Sequence, residues 1–256
     1  MRRKLIVGNW KMHHTVGQSS LLVHRLGKHI KAHRDVEIIL APSLLALQPV
    51  SLELDHHKFK LAVQNAYYKD EGAFTGEVSF AMLRGLVQYA LIGHSERRSH
   101  FGEDLSMVAE KAGAAMRNGI TPIICIGETH TERVAGETRQ VLHDQLTTAL
   151  KQLTSDEVAD VVVAYEPVWA IGTGVTAKPH DIESAITFIR KNLSELYGEH
   201  PASHIRVLYG AGVEPEYVGG ILSLPCGIDG LLVGGASLNY HKFASIVERA
   251  HHMVQS

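Results

Sequence analysis

Eight short, unbroken apolar runs punctuate the chain. They are residues 5–7, 38–40, 61–63, 90–92, 123–126, 161–164, 207–209 and 231–233. Apolar residues follow one another in these runs instead of alternating with polar ones, the pattern of strands buried on both faces. The stretches between them carry helical periodicity. Ile182, Ala185, Ile186, Ile189, Leu193 and Leu196 fall on one helical face, and Gly198 supplies a stop. Leu105, Val108, Ala112 and Met116 repeat the pattern, with Asp104 as N-cap and Asn118-Gly119 closing it. Eight strands alternating with helices predict a parallel sheet. No linker or low-complexity segment interrupts the alternation, so residues 1–256 read as a single α/β domain. That length suits a closed (β/α)8 barrel, which takes about 250 residues. An open doubly wound sheet is the alternative that periodicity alone leaves standing.

The polar residues are placed as informatively as the apolar ones, because nearly every run leads straight into a small polar or glycine-rich cluster. The first gives Gly8-Asn9-Trp10-Lys11, the third Gln64-Asn65, and the fourth Gly93-His94-Ser95-Glu96-Arg97-Arg98. The fifth gives Gly127-Glu128, the sixth Glu166-Pro167, the seventh Gly210-Ala211-Gly212 and the eighth Gly234-Gly235. In a parallel barrel all these strand ends share one rim, and that rim carries the active site. Asn9, Lys11, His94 and Glu166 should therefore converge although they are far apart in the chain.

Composition narrows the class. At 45% apolar the chain can bury a large core, and a formal net charge of −2 with dispersed Lys and Arg argues against nucleic acid or an anionic membrane as partner. No apolar run approaches the roughly 18 residues of a membrane span. The basic start MRRKLIV is followed too soon by Asn9 for a signal peptide. Cys125 and Cys226 form no C-x-x-C pair, and two thiols in 256 residues suit a reducing, cytoplasmic setting. The 17 histidines include the pairs His13-His14, His56-His57 and His251-His252. None repeats a metal-ligand spacing, so they read as solvated surface groups and no metal site is expected.

The strings GNWKM (8–12), GAFTGE (72–77), IGHSERR (92–98), CIGET (125–129), AYEPVWAIGTG (164–174) and VGGASL (233–238) appear in order along the whole chain. Together they resemble the triosephosphate isomerase family, which implies the TIM-barrel fold and a cofactor-free interconversion of a small phosphorylated aldose and its ketose. In that resemblance Glu166 matches the catalytic base. A partly desolvated carboxylate is more basic than one in water, which suits removal of a proton from carbon. His94 matches the group that polarises the substrate carbonyl. Ser95-Glu96-Arg97 can open a short helix behind it, whose N-terminus disfavours a positive imidazole, so His94 is expected to be neutral and to donate as N–H. This tuning is a standard worked example for the family. Lys11 matches the cation that stabilises the enediolate, Asn9 a hydrogen-bonding neighbour of the substrate oxygen, and Glu96 a supporting acid near Lys11.

Phosphate binding is implied for Gly172, Gly212, Gly234 and Gly235, where glycine lets backbone N–H groups approach an anion. Residues 167–177 resemble a closing lid with hinges at Pro167-Val168-Trp169 and Val175-Thr176-Ala177. Residues 72–77 match a loop that reaches into a second copy, where Thr75 would buttress the partner subunit's Asn9 and Lys11. The resemblance thus implies a homodimer, although some family members are tetramers.

Three departures stand out. After the seventh strand the family reads Tyr-Gly-Gly-Ser-Val, but this chain reads Tyr209-Gly210-Ala211-Gly212-Val213. A neutral hydrogen bond is worth about 0.5–1.5 kcal/mol and one to a charged group about 1.5–3 kcal/mol, so the missing hydroxyl could weaken phosphate binding severalfold to over a hundredfold. Alanine at 211 would be strained if that position needs positive φ. Val175 stands where lysine is common in the far hinge, and His13-His14 replace smaller residues at a subunit contact. Two rival functions remain at this level: an isomerase of a four-carbon ketose phosphate on the same barrel, and a catalytically weak barrel used for binding.

Overall fold

The computed structural model describes residues 3–173 and 176–255. Val175, at the far hinge, lies outside the described residues. Eight parallel strands close on themselves in sequence order. They are β1 (Lys4–Asn9), β2 (Val36–Ala41), β3 (Phe59–Val63), β4 (Tyr89–Ile92), β5 (Thr121–Ile126), β6 (Val162–Tyr165), β7 (Arg206–Tyr209) and β8 (Gly230–Val233). Each contains its expected apolar run, save that β6 starts at Val162, one residue after Val161. Closure is made by β8 pairing with β1, from Leu5 opposite Gly230 to Gly8 opposite Val233. The open-sheet alternative is thereby excluded.

The helices are α1 (Val16–His29), α2 (Leu44–Glu53), α3 (Ser95–Phe101), α4 (Leu105–Arg117), α5 (His130–Val134), α6 (Thr138–Leu150), α7 (Ser155–Val158), α8 (Pro179–Tyr197), α9 (Glu199–His204), α10 (Val218–Leu222) and α11 (Tyr240–Gln255). Local chemistry sets their ends. Pro179 opens α8, the Asp181 carboxylate accepts from the Lys178 N–H at 3.3 Å, and Gly198 closes the helix with φ 83°. Its stripe Ile182, Ala185, Ile186, Ile189 and Leu193 is buried, whereas Leu196 at the end of the stripe is 39% exposed. The Asp104 side chain accepts from the Met107 N–H at 2.8 Å and caps α4 as expected. None of the described helices is long and apolar enough to cross a membrane.

Two apolar layers result. One fills the barrel, with Leu5, Val7, Ile39, Leu91, Ile123 and Leu208 among its members. The other lies between strands and helices and includes Ile38, Leu40, Ile124, Ile186 and Phe243. Burial of one such side chain contributes about 1.5–3 kcal/mol, and this shell holds the strand ends in place.

At the N-terminal floor of the barrel the buried Glu37 carboxylate replaces apolar filling. It accepts from the Tyr89 hydroxyl at 2.7 Å and Arg206 Nη1 at 3.1 Å, and Lys60 Nζ lies 2.7 Å away. Burial alone would raise its pKa; Lys60, Tyr89 and Arg206 outweigh burial and hold it below the usual glutamate value. A depressed carboxylate pKa stabilises the fold above the unfolded-state value, and that stabilisation is lost as pH falls through the folded value. Glu37→Gln should therefore lower unfolding free energy by about 2–4 kcal/mol at pH 7. The gap between wild type and variant should shrink below about pH 4.3. Denaturant titrations at several pH values check this, and an equal gap at every pH would contradict it.

Candidate active site

The C-terminal rim holds a cavity of about 440 Å³. Asn9, the last residue of β1, and Lys11 just beyond it line one side, and His94 and Glu96 after β4 line another. Glu166 follows β6 at the base, and Gly172, Gly212, Gly234 and Gly235 complete the wall. Nine of the ten residues singled out from the sequence are thus brought together. The tenth, Thr75, lies in the exposed segment 71–77 and does not line the cavity of its own chain.

Lys11 sits in a left-handed conformation, φ 51°, which is unusual for a residue with a side chain. The surroundings hold it there. Its N–H donates to Asn9 Oδ1 at 3.0 Å, and its carbonyl accepts from Gln64 Nε2 at 2.9 Å. The same Gln64 amide nitrogen also donates to the Ala41 carbonyl at 2.8 Å, tying the loop to β2. The Lys11 ammonium donates to Glu96 Oε1 at 2.5 Å. Glu96 therefore ties down the end of the Lys11 side chain at the cavity wall.

His94 is the N-cap of α3, and its Nδ1 accepts the Glu96 N–H at 3.2 Å. An accepting Nδ1 carries a lone pair, so the ring proton resides on Nε2. That nitrogen lies 3.1 Å from Glu166 Oε1, while Glu166 Oε2 accepts from the Ser95 N–H at 3.4 Å. Glu166 is 2% exposed and His94 6%.

Burial raises the carboxyl pKa of Glu166, but His94, Arg98 and the Ser95 N–H more than offset it, so the group is held below its usual value. Burial lowers the imidazole pKa, and the Glu166 carboxylate more than offsets that, so His94 is raised. Both directions differ from the sequence-based expectation of a more basic carboxylate and an imidazole governed by the helix end. The cause is the mutual contact, which the linear sequence does not reveal.

The supports of this pair were not singled out from sequence. The Arg98 guanidinium donates to the carbonyls of Cys125 at 3.0 Å and Gly127 at 3.4 Å, pinning α3 to the end of β5. The buried Glu103 accepts from the Gly93 N–H at 3.1 Å and Arg97 Nε at 2.7 Å, and also from Lys111 Nζ. Gly127 permits the close approach of Glu166: a Cβ there would lie 1.7 Å from the Glu166 carbonyl oxygen. Ser95 contributes through its backbone, which no side-chain pattern marks.

The expected lid begins with a short turn at Val168–Ala170. Trp169 Nε1 donates to the fully buried Glu128 carboxylate at 2.8 Å, and Arg133 stacks over the indole at 4.1 Å. Gly234 precedes and Gly235 opens the short turn Gly235–Leu238. Lys11 and His14 are the non-glycine residues with positive φ among those described, so Ala211 carries no such strain. The left-handed position is Gly212, φ 55°, where glycine is the least strained choice. The backbone after β7 is thus relaxed, and only the hydroxyl is lost.

A sequence model described as triosephosphate isomerase matches residues 4–250. A triosephosphate isomerase of Moorella thermoacetica is 46% identical, over 96% of this chain and 98% of that protein. Others from Citrifermentans bemidjiense, at 44% over 96% and 98%, and Carboxydothermus hydrogenoformans, at 42% over 97% and 99%, are similarly close. The chain belongs to the triosephosphate isomerase family and is an isomerase.

Proposed function

We propose that this member of the family interconverts dihydroxyacetone phosphate and D-glyceraldehyde 3-phosphate through an enediolate, as a step of glycolysis and gluconeogenesis in the cytoplasm. The observation that carries the reading is the convergence of a buried carboxylate, an Nε2–H imidazole and an ammonium group on one cavity walled by glycine backbone. A non-catalytic barrel would have no need to hold Lys11 in a strained conformation. Family membership favours the three-carbon substrate over a four-carbon one.

In the proposed reaction the Glu166 carboxylate removes a proton from C1 of dihydroxyacetone phosphate. The carbonyl oxygen on C2 takes the Nε2 proton of His94 as the enediol forms. His94 recovers a proton from the hydroxyl on C1, and Glu166 returns its proton to C2. Lys11 and Asn9 face the oxygens and offset the developing charge, which is most effective in a closed, water-poor site. Backbone N–H groups at Gly172, Gly212, Gly234 and Gly235 would take the phosphate, and closure of residues 167–177 would exclude water. No step requires a cofactor or a metal.

The resting contact between Glu166 and His94 has a consequence for this scheme. Leaving His94 for the substrate carbon removes the largest influence that lowers the carboxyl pKa, while burial continues to raise it. The base becomes stronger as it arrives where it is needed.

We also propose a homodimer. Met12 is 95% exposed, Leu45 77%, Met82 68% and Phe101 67%, and Phe74 stands at the tip of the segment carrying Thr75. These residues follow β1 to β4, which are neighbours in the barrel, so they share one side of the rim. A second copy would cover this apolar surface. In that arrangement Thr75 would reach the partner's Asn9 and Lys11.

Purified protein should isomerise glyceraldehyde 3-phosphate rapidly, and Glu166→Gln should lower kcat by at least about 10²–10⁴-fold. A folded protein without turnover, or a variant with unchanged kcat, would overturn the assignment. Sedimentation velocity should find a dimer at assay concentrations; a fully active monomer would contradict the second proposal.

A further inference from the structure

At the end of the barrel opposite the cavity, two segments bring together a set of nitrogen and oxygen donors with no part in the reaction. His33 and Asp35 lie in the connection that enters β2, and Glu248 and His251 lie one turn apart on α11. His251 Nδ1 is 2.7 Å from Asp35 Oδ1, and the His33 and His251 rings lie 4.0 Å apart, centre to centre. One ligand atom from each of His33, Asp35 and His251 falls within a mutual 4.8 Å.

His33 gives the cluster its meaning. Its side chain is 7% exposed, and its Nε2 is buried with no hydrogen-bond partner. A buried ring nitrogen without a partner costs free energy and calls for an explanation. Glu248 Oε2 lies 3.4 Å from His33 Nε2, outside the contact that Asp35 and His251 make with each other. Neighbouring ligand atoms around a tetrahedral zinc ion are about 3.3 Å apart, given metal–ligand distances of about 2.0–2.1 Å, so Asp35 and His251, hydrogen-bonded to each other at 2.7 Å, would move slightly apart to share an ion. The backbone under the donors is anchored, since the Asp35 carbonyl accepts from the Lys4 N–H at 2.8 Å and the Arg34 carbonyl from Arg3 Nε at 2.9 Å.

We propose that His33, Asp35 and His251 form a three-residue site for a divalent transition-metal ion of the zinc class, with solvent completing the coordination. Two imidazoles and a carboxylate suit such an ion far better than magnesium or calcium, which prefer an all-oxygen shell. The pair His251-His252, which reads from sequence as solvated surface, is split in this account. His251 turns inward to Asp35, while His252 is 66% exposed on its side chain and pairs with Glu248 Oε1 at 3.3 Å. The bound ion would fasten the entry of β2 to the last helix. It would stabilise the fold without entering the reaction, because the cavity lies at the other ends of the strands.

The test uses the full chain, freed of metal by a chelator and dialysed. Titration with zinc chloride followed by calorimetry should show one site per chain. A hundredfold excess over the dissociation constant should raise the thermal midpoint by about 5–10 °C, and magnesium should leave it unchanged. Cobalt(II) should give the intense visible bands of a tetrahedral ion. His33→Gln and His251→Gln should each abolish the site, whereas the double variant His56→Gln/His57→Gln should retain it. Absence of a stoichiometric zinc site in the wild-type chain would overturn the proposal. So would a cobalt spectrum like that of the hydrated ion, or undiminished binding in both single variants.

Discussion

The parallel register of the closed barrel is the constraint on which everything else rests. Because all eight strands run the same way, every strand delivers its following residues to one rim. The Glu166 N–H still bonds to the Ile126 carbonyl at 2.8 Å, and the Gly210 N–H to the Tyr165 carbonyl at 2.9 Å. The candidate base is therefore held by the ladder on both sides. Its backbone cannot drift without breaking the sheet, which leaves the side chain as the part free to move.

That side chain rests on His94 and the Ser95 N–H. The contact keeps a buried carboxylate compensated, since an unpaired charge at 2% exposure would be costly. The same compensation makes the resting carboxylate a poor base. Substrate binding, in the reaction proposed here, must replace these partners, and part of the binding energy is spent in doing so. Lys11 follows the same logic. Its left-handed backbone is a local cost, borne because Asn9, Gln64 and Glu96 fix both ends of the residue.

Much of this was legible in the sequence, for physical reasons. Strands buried on both faces leave continuous apolar runs, so all eight could be placed within a few residues. Gly198 and Asp104 marked helix ends because their backbone and side-chain chemistry is local. Asn9, Lys11, His94 and Glu166 could be grouped because strand ends converge in any parallel barrel.

Pairwise geometry was not legible. No linear pattern says that Glu103 meets Lys111 and Arg97, that Arg98 binds the carbonyls closing β5, or that Glu166 rests on His94. For the same reason the directions of the two pKa shifts were not foreseen: each depends on whether a partner or burial dominates. The worry about Ala211 arose because a motif does not reveal which residue of Ala211-Gly212 takes the left-handed turn. His33, Asp35 and His251 belong to no motif, since they meet only when the first connection and the last helix pack together.

The central claim is that the cavity moves a proton between adjacent carbons by way of the Glu166 carboxyl group. The most direct measurement is proton NMR of the products formed from dihydroxyacetone phosphate in deuterium oxide by the wild-type protein. A carboxyl proton exchanges with solvent, so the account predicts glyceraldehyde 3-phosphate carrying deuterium at C2. Efficient conversion with no deuterium in product or recovered substrate would contradict it and point to direct hydride migration.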